Sequence, residues 1–251
     1  MNRSPHPWFP FRQPNPQARL RLFCFPYAGG GASVYSNWSA ALPSSIELVA
    51  VQLPGRERRI LEKPIRTIPS MLDALEPELE PLLDKPFVLL GYSMGTRIAL
   101  ALAQRRHERC AKMPLGLVMA ATGVPHRQRL SRENLSEADF IALLRAYEGT
   151  PPELFAHKEL MDMVLPSLRA DFAIADTVLP PTPVGCPIVA YGGLDDPHAP
   201  LDDLERWSEL TTSDFRSRHF PGKHFFLRTA REAMLAALRE DLTRWAPDLV
   251  A

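Results

Sequence analysis

"LLGYSMGTRIALALAQ" (residues 89–104) runs from an apolar stretch into a small-residue, alanine-rich one through Gly91-Tyr92-Ser93-Met94-Gly95, a G-x-S-x-G pattern. At ordinary glycine usage a chain this long yields about 0.1 such matches by chance, so the five letters alone are weak. Their surroundings decide. "FVLLGY" reads as a strand running directly into Ser93, and "MGTRIALALAQ" reads as a helix running directly out. That is the context of a nucleophile elbow, in which a strained turn presents a serine at a strand tip and the two glycines keep side chains out of the crowded approach. The helix N-terminus beyond Ser93 offers unpaired N–H groups and positive dipole to an oxyanion. The plain alternative is a serine capping an ordinary helix.

Apolar runs of strand length recur at 19–25, 46–53, 86–92, 115–121 and 186–192, separated by helix-like stretches around 34–42, 67–84 and 94–108, with a last helix near the C-terminus. Continuous apolarity rich in Val, Ile and Leu predicts strands covered on both faces, hence an α/β fold with a mostly parallel sheet flanked by helices. One interval breaks the alternation. Residues 125–183 hold no convincing strand, but Ser136-Glu137-Ala138-Asp139 reads as a capping box and "ELMDMVLPSLRADFAIADTVL" as one or two helices around Pro166. This interval is expected to be a helical lid inserted between core segments 19–124 and 184–251, since an ordinary crossover needs far fewer residues. Residues 1–18 form a proline-rich extension.

The 251 residues carry 29 Lys+Arg and 29 Asp+Glu, so no net field favours nucleic acid or an anionic membrane. Cys24, Cys110 and Cys186 are odd in number and far apart, without a C-x-x-C pair, and read as reduced thiols. The N-terminus lacks a signal-peptide h-region and no run of 18 apolar residues occurs, so a cytoplasmic protein is expected.

A serine hydroxyl needs a base and, behind it, an acid, in the chain order Ser, Asp, His. "YGGLDDPHAP" places acids at a strand end; Asp196 is preferred over Asp195, which is expected to face water. His224, in a loop after the Pro221-Gly222 turn, is preferred over His219, which falls in a short strand; His6, His107, His126, His157 and His198 lack comparable placement. The oxyanion hole is expected from the backbone N–H groups of Met94 and of Ala28, in "CFPYAGGGAS". The competing phosphate-loop reading of Gly29-Gly30-Gly31 fails the known spacings.

"LFCFPYAGGGAS", "VQLPGRERR", "LLGYSMG", "LPSLRADF", "YGGLDD" and "HFPGKHFFL", in that order from about residue 20 onward, resemble the type II thioesterases that accompany nonribosomal peptide and polyketide synthases. The resemblance implies an α/β-hydrolase fold with a helical lid and hydrolysis of acyl groups from the phosphopantetheine thiol of carrier-protein domains. It places Ser93, Asp196 and His224 at the triad positions and Ala28 and Met94 at the oxyanion hole. Tyr27 and Tyr92, each preceding one of these groups, are expected to contact substrate. Tyr92 stands where many relatives have histidine, and Lys223 where a second glycine is common. Arg56, Glu57 and the Leu168-Arg169-Ala170-Asp171 stretch are family-like without an obvious chemical role; ion pairing or lid positioning is expected of them. The implied chemistry uses no metal or organic cofactor, its partner is a carrier-protein domain, and a monomer is expected. A carboxylesterase, an acyltransferase and a non-catalytic binding protein are the alternatives on the same fold.

Overall fold

The computed structural model describes residues 6–125, 131–147 and 149–250. The first five residues of the proline-rich extension, His126 and a few positions of the expected lid lie outside the described residues. Six strands, β1 (Leu20–Phe25), β2 (Ile46–Ala50), β3 (Phe87–Tyr92), β4 (Leu117–Ala120), β5 (Ile188–Gly193) and β6 (Phe215–Phe220), form one sheet in the order β2-β1-β3-β4-β5-β6, every pair parallel. The first five strands are buried along their whole length, which is why they read as unbroken apolar runs rather than as alternating ones.

Alternation reappears in which face each side chain enters. Phe23, Phe25, Val49 and Leu89 pack with α1 (Ile68–Leu79) and α2 (Met94–Glu108) on one face. Leu22, Cys24, Val88 and Leu90 pack on the other, under the helices that close the chain. Between β4 and β5 the chain forms α3 (Glu137–Tyr147), α4 (Pro152–Ala156) and α5 (Lys158–Ala175), whose Phe140, Leu144, Met161, Leu165, Leu168 and Phe172 make a separate apolar cluster. Ser136 caps α3, its hydroxyl accepting from the Asp139 N–H at 3.2 Å and donating to the Asp139 carboxylate at 2.6 Å. Then come α6 (Leu201–Glu205), α7 (Phe226–Thr229), α8 (Arg231–Trp245) and α9 (Pro247–Val250).

Two expected helices differ. The stretch 34–42 forms two 3-10 segments, Ala32–Tyr35 and Ser39–Ala41; the Ser36 hydroxyl donates to the Ser33 carbonyl at 2.8 Å, taking up an acceptor that a continuous α-helix would use. The 67–84 helix tightens to 3-10 over Glu80–Leu82, where Pro81 has no N–H to reach the Pro77 carbonyl. The N-terminal extension is not loose over its described part. Trp8 and Phe9 are buried in the core, the Trp8 carbonyl accepts from the Gln52 N–H at 2.8 Å, and Arg59 lies over the indole. Burial of Phe9 alone is worth about 2 kcal/mol. Among the described residues no helix is long and apolar enough to cross a membrane.

The strand order reverses direction at β1: the chain leaves β1 toward β2 on one side, and leaves β3 toward β4 on the other. The loops after β1 and β3 therefore part, opening a crevice at the strand C-termini where open α/β sheets place ligands.

All three cysteines are free thiols, Cys24 and Cys186 buried and Cys110 exposed. Burial pushes the Cys24 thiol far above its ordinary value and the Cys186 thiol up to about 12. Iodoacetamide at pH 8 is expected to add a single label, at Cys110, by intact and peptide mass; labelling of Cys24 before unfolding would contradict this packing.

Candidate active site

Ser93 sits between β3 and α2 at φ 50°, ψ −113°, a backbone region that carries roughly 1–3 kcal/mol of strain. Neighbours hold it there. Its N–H donates to the Ala120 carbonyl at 2.7 Å, and its carbonyl accepts from the Thr96 N–H at 3.1 Å and the Thr96 hydroxyl at 2.7 Å. A Cβ on Gly91 would lie 2.5 Å from the Thr96 nitrogen, and one on Gly95 2.2 Å from the Phe25 carbonyl oxygen, so no side chain fits at either position without moving backbone.

His224 follows β6 in the turn before α7, and its Nε2 lies 3.0 Å from Ser93 Oγ. Its Nδ1 lies 2.8 Å from Asp196 Oδ2, and the other oxygen of that carboxylate accepts from the His198 N–H at 2.9 Å. The Asp196 side chain is wholly buried. With Nδ1 protonated and donating to Asp196, Nε2 is the lone-pair nitrogen facing the serine hydroxyl. Asp195 is exposed, its N–H donating to the Gly222 carbonyl at 3.0 Å, and His219 is exposed on β6. The structure thus brings together the three groups expected from the sequence and leaves their two alternatives facing water.

Ala28, in the loop after β1, and Met94, at the start of α2, line the same cavity as Ser93, and among the described residues neither amide has a hydrogen-bond partner. Tyr27 also lines it, its hydroxyl accepting from Arg228 at 3.0 Å and its ring edge-on to Phe225. Tyr92 is elsewhere. It was expected against substrate, but it is fully buried on the far face of the sheet with Val88 and Leu90, because period-two alternation carries every second β3 side chain there. Its hydroxyl donates to the His224 carbonyl at 2.6 Å and accepts from the Leu227 N–H at 3.3 Å, and burial raises its pKa well above the ordinary tyrosine value. Tyr92 therefore braces the loop that carries His224.

Helices α3 and α5, within the interval expected to be a lid, supply walls that sequence reasoning did not single out. Leu144, Tyr147 and Phe172 line the cavity beside Ser93, and so does Arg132, which precedes α3. Tyr147 stacks on His198 at 3.9 Å and meets His224 edge-on. Arg132 is held by Asp176 and stacks over Phe172. About 40 Å³ of the inner space is open to the centre of a water molecule, whereas a groove of about 620 Å³ lies outside His224, bordered by Asp195, Lys223 and Arg228. Tyr147, His198, His224 and Phe225 line both.

Residues 20–242 match the thioesterase domain family. The chain belongs to that family. It is 36% identical over 239 residues to the gramicidin S biosynthesis protein GrsT of Aneurinibacillus migulanus, covering 94% of this chain and 93% of that one. It is 32% identical over 248 residues to the thioesterase PikA5 of Streptomyces venezuelae, covering 96% and 88%. The solved structure of the type II thioesterase BorB from the borrelidin biosynthetic cluster matches with a TM-score of 0.83 at 35% identity, covering 95% of this chain and 99% of that one. The mostly parallel sheet flanked by helices is the α/β-hydrolase fold of these thioesterases.

Tyr92→Phe strips a buried donor from the His224 carbonyl and an acceptor from the Leu227 N–H, at about 1–3 kcal/mol of folding stability. Urea unfolding should show that loss and steady-state assays a several-fold fall in kcat; unchanged stability and rate would mean that Tyr92 does not brace the loop.

Proposed function

We propose that this protein is a type II thioesterase that hydrolyses acyl thioesters from the phosphopantetheine arm of carrier-protein domains in nonribosomal peptide or polyketide synthesis, removing stalled or aberrant acyl groups. The observation that carries the reading is the hydrogen-bonded constellation of half-buried Ser93 with buried His224 and Asp196, combined with near full-length similarity to proteins whose names are type II thioesterase or biosynthetic thioesterase. The constellation is complete within one chain, and we take the monomer as the working unit.

In this reading Ser93 Oγ attacks the thioester carbonyl carbon while His224 Nε2 takes its proton. Asp196 orients the imidazole and stabilises its protonated form. The tetrahedral oxyanion is held by the Ala28 and Met94 amides, helped by the N-terminus of α2. Collapse breaks the C–S bond, and His224 returns the proton to the pantetheine sulfur. Water then attacks the acyl-serine ester, giving its proton to His224; the C–Oγ bond breaks, Ser93 recovers the proton, and the free acid leaves. The chemistry draws on no metal or organic cofactor. The arm would reach Ser93 along the groove bordered by Lys223 and Arg228, with Tyr27 and the cap side chains around the acyl group, so residues 125–183 act as a lid that gates entry.

The test follows the intact mass of an acyl-loaded carrier protein with wild type and Ser93→Ala, beside a simple ester of the same acid. Wild type should discharge the carrier, and faster than it cleaves the ester; the variant should lose about 10³-fold or more in rate. A carrier that stays loaded while the ester is cleaved would make the protein a carboxylesterase instead.

A further inference from the structure

We propose that Asp171 of α5 is a positioning residue for the oxyanion hole, and that the Arg56–Asp171 pair makes the Ala28 amide available only while the cap helix is docked on the core. This rests on the assignment of Ala28 as an oxyanion donor. The loop after β1 turns through Gly29, whose φ of 80° suits a residue without a Cβ. The Gly29 N–H donates to Asp171 Oδ2 at 2.7 Å. Its peptide unit begins at the Ala28 carbonyl, so gripping it fixes the rotation about Ala28 and with it the direction of the Ala28 N–H one unit upstream. On the other side the Arg56 guanidinium donates to the Gly30 carbonyl at 3.3 Å. The same guanidinium binds the carboxylate in two-pronged fashion, at 2.5 and 2.7 Å. Asp171 is wholly buried and lies outside the cavity beside Ser93, so it acts through the loop and not on substrate.

An ion pair of this kind is a poor way to gain stability, because desolvation largely cancels the attraction and well-packed apolar residues of similar volume serve as well or better. Apolar residues could not, however, accept from Gly29 and donate to Gly30. Two further contacts tie α5 to these loops: Leu168 Cδ2 lies 2.9 Å from where a Gly29 Cβ would stand, and the Ser167 hydroxyl donates to the Gly55 carbonyl. Cap and oxyanion loop are therefore one mechanical unit, although 142 residues separate Gly29 from Asp171. Lifting α5 to admit an acyl chain would release the loop, and re-docking would restore the donor before chemistry.

The experiment compares wild type, Asp171→Ala, which removes the acceptor for the Gly29 N–H, and the double variant Arg56→Met/Asp171→Leu, which removes the tether without leaving a buried charge unpaired. Values of kcat and KM are measured on an acetyl-pantetheine thioester and on p-nitrophenyl acetate. Inhibition is measured with a trifluoromethyl ketone analogue of the thioester, which forms a tetrahedral oxyanion on serine, and with the matching unreactive amide. Whichever variant folds should lose about 100-fold in kcat on both substrates, as expected for loss of one oxyanion donor, with KM within about threefold. Ketone binding should weaken in proportion while amide binding stays unchanged. A folded variant with wild-type kcat, or one changed in KM and amide binding alone, overturns the proposal. If wild type cleaves the ester but no thioester, the thioesterase reading fails, and the oxyanion inference is still decided on the ester.

Discussion

A strand and a helix meet at Ser93 with almost no space between them, and much of the site follows from that crowding. The approach is close enough that Gly91 and Gly95 touch the backbone of Thr96 and Phe25. It forces Ser93 into an unfavourable conformation, held by hydrogen bonds to Ala120 and Thr96. That conformation keeps Oγ within 3.0 Å of His224 Nε2, and Met94 at the head of α2 lines the same cavity. Because the chain departs in opposite directions from β1 and β3, the loop carrying Ala28 opens beside that tip, and the β5 and β6 ends supply Asp196 and His224 from farther along the sheet. No single element contains the site; the parallel register aligns four strand ends that do.

Much of this is legible in local sequence. Ser93 is announced by strand, turn and helix in immediate succession, Asp196 by its place at a strand end, and His224 by the turn before the closing helices. Each signal is short-range, and burial resolves the remaining ambiguity: Asp195 and His219 face water while Asp196 and His224 do not. Tyr92 shows the opposite failure. Adjacency in sequence to the nucleophile suggests contact with substrate, yet β3 alternation puts it with Val88 and Leu90 on the other face, a pattern that was available in the letters themselves.

The cap is less readable for a physical reason. Tyr147 and Phe172 belong to apolar helix faces indistinguishable from any core-facing stripe, and tertiary packing alone directs them to His224 and the cavity beside Ser93. Arg56 and Asp171 are 115 residues apart, and no local pattern links a residue after β2 to one on α5. The 3-10 segments at 32–41 likewise include a serine hydroxyl bonded to the local backbone, Ser36 to the Ser33 carbonyl, which hydrophobic periodicity does not register.

If the site works as proposed, Ser93 carries the acyl group between carrier and water. The direct measurement mixes the protein with a carrier loaded with a slowly released acyl chain, quenches in acid within the first turnover, and maps the acyl mass increment by peptide mass spectrometry. The increment should fall on Ser93 and be lost when His224 is replaced by Ala. A carrier discharged with no increment on Ser93, or with the acyl group on another residue such as Cys110, would contradict it.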